Sequence, residues 1–118
     1  MKRLLALVGC TLALTGCQTQ RSLYYWVNYE TINYLAYSKP EKAPLETQRE
    51  KLTEDLEKAK GSNLAVHPGL HAQLGYVYYQ LGRFDEAVRE FTAEKTLFPE
   101  STTFMDRMIE KAKGGSSK

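Results

Sequence analysis

Few side chains in this 118-residue chain combine a reactive type with a useful spacing. The two cysteines are Cys10 and Cys17, the two histidines are His67 and His71, and carboxylates gather in charged runs such as Glu54-Asp55. His67 and His71 stand at a spacing that would put two imidazoles on one helical face for a metal ion, but Pro68 is suited to start a helix between them and leaves His67 outside. No metal site is expected. The cysteines form no CxxC pair, and the patterns HExxH, GxSxG and GxxxxGK[ST] are absent. Glu54 and Asp55 read as solvated charges, with no apolar pocket to lift a carboxyl toward general acid–base duty. The expectation is a protein that is not an enzyme and carries no cofactor and no catalytic residue.

One of the thiols has a different chemistry in prospect. Met1-Lys2-Arg3 is a short basic head, an apolar run follows from Leu4 to Leu14, and polarity returns at Gln18. This is the layout of a signal peptide, and the run is shorter than the roughly 20 apolar residues that a bilayer span requires. The stretch LTGC, Leu14 to Cys17, resembles the lipobox of bacterial lipoproteins, in which a cysteine is diacylated on sulfur and becomes the new amino terminus. The resemblance implies a cleaved lipoprotein signal peptide over residues 1–16, lipidation at Cys17, and a tether over residues 17–22. An ordinary secretory signal with an incidental cysteine is the alternative. Each buried methylene adds about 0.8 kcal/mol, so one acyl chain binds a membrane reversibly whereas two or three hold firmly. Gln18 after the modified cysteine implies, by resemblance to sorting in bacteria with two membranes, the periplasmic face of the outer membrane.

Loss of residues 1–16 would take Lys2 and Arg3, lowering the basic count from 16 to match the 14 acidic residues, so the formal +2 belongs to the leader. A neutral domain offers no cationic footprint for nucleic acid. Cys10 would leave as well, and no intramolecular disulfide could form.

The remaining chain suffices for one small domain. Leu23 to Ser38 is aromatic-rich and free of Gly and Pro; Tyr25, Tyr29, Ile32 and Ala36 recur at helical spacing, although Tyr, Trp and Val also favour strands. Lys39-Pro40 ends that element. A second helix from Pro44 to Gly61 carries the stripe Leu45, Leu52, Leu56 and Ala59, with Glu54 and Lys58 able to pair. Residues 23–67 thus read as an aromatic-rich first helical hairpin, and Pro68 as the first turn of a third helix.

Between His71 and Pro99, Leu74, Gly75, Tyr78, Ala87, Phe91 and Pro99 fall at the positions of the tetratricopeptide consensus. Small Gly75 and Ala87 would let two antiparallel helices approach, with Leu74, Tyr78 and Phe91 filling the seam and Gly82 making the turn. Residues 68–101 form this tetratricopeptide-like repeat, residues 102–113 a capping helix with Phe104, Met108 and Ala112 aligned and Met105 and Ile109 beside them, and residues 114–118 a disordered tail. The fold expected is all-α, with about five helices in tetratricopeptide-like hairpins. Glu94 departs from the pattern: a carboxylate in the apolar seam either finds a structural partner, reaches water, or serves a site.

The segment Tyr24, Trp26, Tyr29, followed by a block from Pro68-Gly69 through Leu74-Gly75-Tyr76, Asp85-Glu86-Ala87 and Phe98-Pro99 to Phe104-Met105, resembles a family of small bacterial outer-membrane lipoproteins of unknown function. Such lipoproteins are often encoded beside a lipoprotein like the curli-secretion channel. That resemblance implies a protein partner in an outer-membrane assembly or export system, possible partners including a curli-channel-like lipoprotein.

Candidate partner-binding residues follow from the helical wheel. Tyr76 and Tyr79 lie opposite the apolar face of the third helix and either line a groove or are covered by the first helix. Tyr24, Trp26 and Tyr29 belong to an aromatic cluster too dense for one helical face; they pack in the core and near the membrane, or anchor a partner. The function expected is a lipid-anchored periplasmic adaptor binding a protein partner, with no small-molecule substrate evident. The alternative is a cell-wall or glycan-contacting structural lipoprotein that uses the N-terminal aromatics.

Overall fold

The computed structural model describes residues 22–117, and among them are five α-helices: α1 (Tyr29–Ser38), α2 (Leu45–Gly61), α3 (Leu70–Gln80), α4 (Phe84–Leu97) and α5 (Thr102–Ser116). The leader, Cys17 and most of the tether lie outside the described residues. Short 3-10 turns at Pro40–Lys42 and Pro99–Ser101 follow α1 and α4, each opened by a proline whose missing N–H costs nothing in a first turn.

Successive helices pack against one another. Across the α3–α4 seam, Gly69 meets Glu94, Gly75 meets Phe91, and Tyr79 meets Phe84, an order that runs in opposite directions along the two helices and makes the pair antiparallel. The same reversal relates α4 to α5, where Phe84 meets Gly115 and Lys95 meets Asp106. Gly82, at φ 74°, takes the left-handed turn that joins α3 to α4.

Two apolar cores share α3. Ile32, Leu52, Leu70, Leu74 and Val77 form one, closed by α1 and α2. Ala87, Phe91, Met105, Ile109 and Ala112 form the other, closed by α4 and α5. Tyr78 packs on both, and the Arg83 guanidinium lies 4.8 Å from the centre of its ring. Leu74 therefore faces away from the seam in which it was expected. Leu70, Leu74 and Val77 share one helical stripe directed at α1 and α2, whereas Gly75, one position on, faces Phe91. A Cβ at Gly75 would stand 2.7 Å from Phe91 Cδ1, so the small residue is required by the approach of the ring.

Three boundaries differ from the sequence reading. Residues 23–27 are not helical: Ala65 donates to the Leu23 carbonyl at 3.2 Å and Tyr25 donates to the Ala65 carbonyl at 3.3 Å, a single parallel bridge. The strand preference of Leu-Tyr-Tyr-Trp-Val prevails there, and α1 begins only at Tyr29, where the Asp55 carboxylate of α2 accepts the first N–H groups. The third helix starts after Pro68, at Leu70, behind Gly69 in a left-handed conformation at φ 95°. The final helix runs on to Ser116, through the stretch expected to be a disordered tail. A Cβ at Gly115 would stand 2.6 Å from the Phe84 ring, so the absent side chain lets the backbone lie against that ring. On α5, Met105, Ile109 and Ala112 of the expected apolar face are buried, whereas Phe104, expected on the same face, is 61% exposed.

Candidate functional site

Two buried carboxylates hold the frame on which the aromatic residues sit. Asp55 on α2, fully buried, accepts the Asn28 N–H at 2.9 Å, the Tyr29 N–H at 2.9 Å and the Asn28 side-chain amide at 2.8 Å. Glu94 on α4, also buried, accepts the Gly69 N–H at 2.7 Å and the Ala72 N–H at 3.3 Å. Neither α1 nor α3 has a side-chain cap of its own. Each carboxylate satisfies orphan N–H groups of a neighbouring helix and meets the positive end of its dipole. Asp55 is thus not a solvated charge, and Glu94 found a structural partner in the seam. Glu54 behaves as expected: Lys58 and Lys51 bond it at the surface and hold its carboxyl below the usual range.

Because Asp55 fixes Asn28 and Tyr29, the preceding segment is delivered onto His67. The Trp26 indole stacks on the fully buried His67 imidazole at 3.8 Å and 10°, Tyr29 meets the same ring edge-on at 4.4 Å, and Tyr24 lies edge-on to Trp26 at 6.3 Å. His67 Nδ1 lies 2.9 Å from the Pro68 carbonyl, which assigns its proton there; Nε2 is buried and has no partner among the described residues. His71 instead pairs with Glu90 at 2.6 Å, so the two histidines separate into different environments. Among the described residues no group of three or more His, Cys, Asp and Glu is placed to hold a metal ion.

Tyr29 links this cluster to a groove. Tyr29, Ala72 and Tyr76 form one side and Phe104, Met105 and Met108 the other, enclosing about 350 Å³ with no charged side chain in the lining. Tyr76 is 44% exposed. Burial pushes the Tyr29 phenol above its ordinary 10.0; Asn33 pulls it back and the nearby Glu94 carboxylate pushes it further up. Tyr76 also walls a second, wider groove of about 520 Å³, lined by the carboxamides of Asn33, Gln48, Gln73 and Gln80 and by Tyr37, again without a charge.

The structure thus divides the aromatics singled out in the sequence. Tyr24 and Trp26 serve the His67 cluster, Tyr29 serves both cluster and groove, and Tyr76 stands between two grooves. Tyr79 is half-buried against Phe84, ring centres 5.7 Å apart, with the Tyr76 ring roughly parallel to it at 6.5 Å. Helix α1 leaves Tyr76 uncovered. The α5 contribution, Phe104 and Met108, was read in the sequence only as part of the apolar stripe of a capping helix, and nothing there singled it out as groove lining.

Fold and groove together define an all-helical protein of consecutive antiparallel helices with an uncharged aromatic and methionine-lined cleft. The chain belongs to the family described as Domain of unknown function (DUF4810), which it matches over residues 23–108. That span holds the first core, both buried carboxylates, the whole groove, and the second core as far as Met105, with Ile109 and Ala112 just beyond it. No curated protein and no solved structure matches the chain.

Proposed function

We propose that this protein is a lipid-anchored periplasmic adaptor that holds an apolar segment of a protein partner in the cleft between α3 and α5. The observation that carries this reading is the placement of Tyr76 and Phe104, 44% and 61% exposed, on a groove that has no charge to neutralise. An exposed Phe and Tyr flanking two methionines suit an apolar guest: rigid aromatics anchor it, and the unbranched thioether chains adapt to its shape. The tetratricopeptide-like spacing of Leu74, Gly75, Tyr78, Ala87, Phe91 and Pro99 supports the same use, as does the lipobox resemblance at Cys17, which supplies the anchor at the outer membrane. The resemblance to lipoproteins encoded beside a curli-channel-like lipoprotein favours a partner in envelope assembly or export. The adaptor performs no reaction of its own. A photo-crosslinker at position 104 in intact cells, followed by mass spectrometry of the adducts, tests the reading; a crosslinker at exposed Tyr34, on a different surface, is the control. Adducts of one envelope protein at 104 and not at 34 are expected.

The uncharged carboxamide groove favours a second reading, a glycan-contacting lipoprotein. Planar amides suit sugar hydroxyls and the nearly fully exposed Tyr37 ring suits stacking. Co-sedimentation with purified peptidoglycan, lost on Tyr37→Ala, is the outcome this alternative requires.

A further inference from the structure

Leu23, Trp26 and Val27 are 78%, 45% and 53% exposed, three apolar side chains within five consecutive positions at the point where the chain enters the fold. Trp26 is not loose: one face is fixed on His67, so the exposed part of the indole is held in place by the protein. No charged residue falls between Ser22 and Tyr29. Asn28, at the end of this segment, donates its side-chain amide to the Lys51 carbonyl at 3.5 Å, so α2 borders it, and there the Lys51 and Lys58 ammoniums are paired with Glu54.

From these observations we infer that Leu23, Trp26 and Val27 form a membrane-contacting edge, inserted among lipid headgroups and the first acyl methylenes. The inference rests on the anchored-adaptor reading, because residues 18–22 can reach no further than about 17 Å from an acylated Cys17. A domain on so short a leash must turn one surface to the bilayer. The side chains nearest the leash have the composition of an interfacial anchor: an indole for the headgroup region, flanked by aliphatics, with no charged side chain among them. A second copy of the chain is the poorer occupant, since three side chains fall well short of the ~1,000 Å² that a specific interface requires. Docking on this edge would fix the domain's orientation, where acyl chains alone leave it free to swivel.

The sequence contains a single tryptophan, which makes the test direct. The lipidated protein is reconstituted into phosphatidylethanolamine–phosphatidylglycerol vesicles carrying bromines at graded acyl depths, and Trp26 emission is read. Strong quenching by the shallowest bromines is expected, together with shielding from aqueous acrylamide. The double variant Leu23→Ser/Val27→Ser should lose much of both effects while its melting temperature is unchanged. Emission indifferent to brominated lipid in protein shown by mass spectrometry to be acylated at Cys17 would overturn the inference and leave the adaptor reading standing. Protein that carries no acyl group would instead remove the anchor on which both depend. Shielding that grows with protein concentration and ignores bromine would seat a second copy on this edge and also overturn it.

Discussion

The Asp55 carboxylate accepts the Tyr29 N–H at 2.9 Å, closing the amino end of α1 from the middle of α2. Glu94 does the same for α3 from α4, through the Gly69 N–H at 2.7 Å. In both hairpins a buried acid on the second helix caps the first, so cap and core form together. The caps also set what the surface presents: one delivers Trp26 and Tyr29 onto His67, and the other fixes the start of the helix that carries Tyr76.

Removing the first cap should be costly. Asp55→Ala leaves buried N–H groups without an acceptor, and a loss of about 2–3 kcal/mol is expected from the desolvation of unpaired donors. Asp55→Asn keeps the shape and one acceptor and should lose less. Urea denaturation followed by circular dichroism measures both, and an unchanged midpoint for the alanine variant would refute the capping role.

Gly75→Ala sets a helix preference worth up to ~1 kcal/mol for alanine over glycine against a Cβ placed 2.7 Å from the Phe91 ring. Overpacking of this kind costs roughly 1–3 kcal/mol, so the clash should win. A lower melting temperature is expected, recovered in part by the double variant Gly75→Ala/Phe91→Leu.

Truncation after Lys113 should also lower the melting temperature, because it strips the α5 backbone at Gly115 from the Phe84 ring. A shortened chain that melts with the full one would return residues 114–118 to the status of a tail.

Tyr76→Ala and Phe104→Ala change exposed residues, and each should alter stability by no more than about 0.5 kcal/mol. Under the adaptor reading both abolish capture of the envelope partner found by crosslinking. A fall in melting temperature with either change would reassign that ring to the core.

Burial raises the Tyr29 phenol above 10.0, so the folded state holds its proton more tightly than the unfolded chain does. The associated stability is fully present below pH 10.0 and declines as pH rises through the folded-state value. In an alkaline titration followed by tyrosinate absorbance, Tyr29→Phe should remove a late-titrating component and flatten the alkaline loss of stability.

Much of this architecture was legible in the chain. The α3–α4 pair was readable because its determinants are local: apolar residues repeat at helical spacing, Gly82 marks the turn, and Gly75 and Ala87 mark the close approach. Tyr76 could be singled out because it falls on the helical face opposite Leu70, Leu74 and Val77. What failed was also instructive. Asp55 looks like one charge in a solvated run, and Gly114-Gly115 like an idle tail, because in each case the partner is distant in sequence.

Length, charge balance, helical periodicity and the apolar faces were determined by the sequence itself, since each depends on residues within a few positions of one another. Which carboxylates are buried, where α1 begins, and which aromatics meet at the groove were decided only by the tertiary structure. The partners there are backbone N–H groups and ring faces some two dozen residues away, such as Gly69 for Glu94 and Tyr29 for Asp55. Every residue but proline carries the same backbone N–H, so that donor leaves no mark in the sequence until folding brings it within hydrogen-bonding distance.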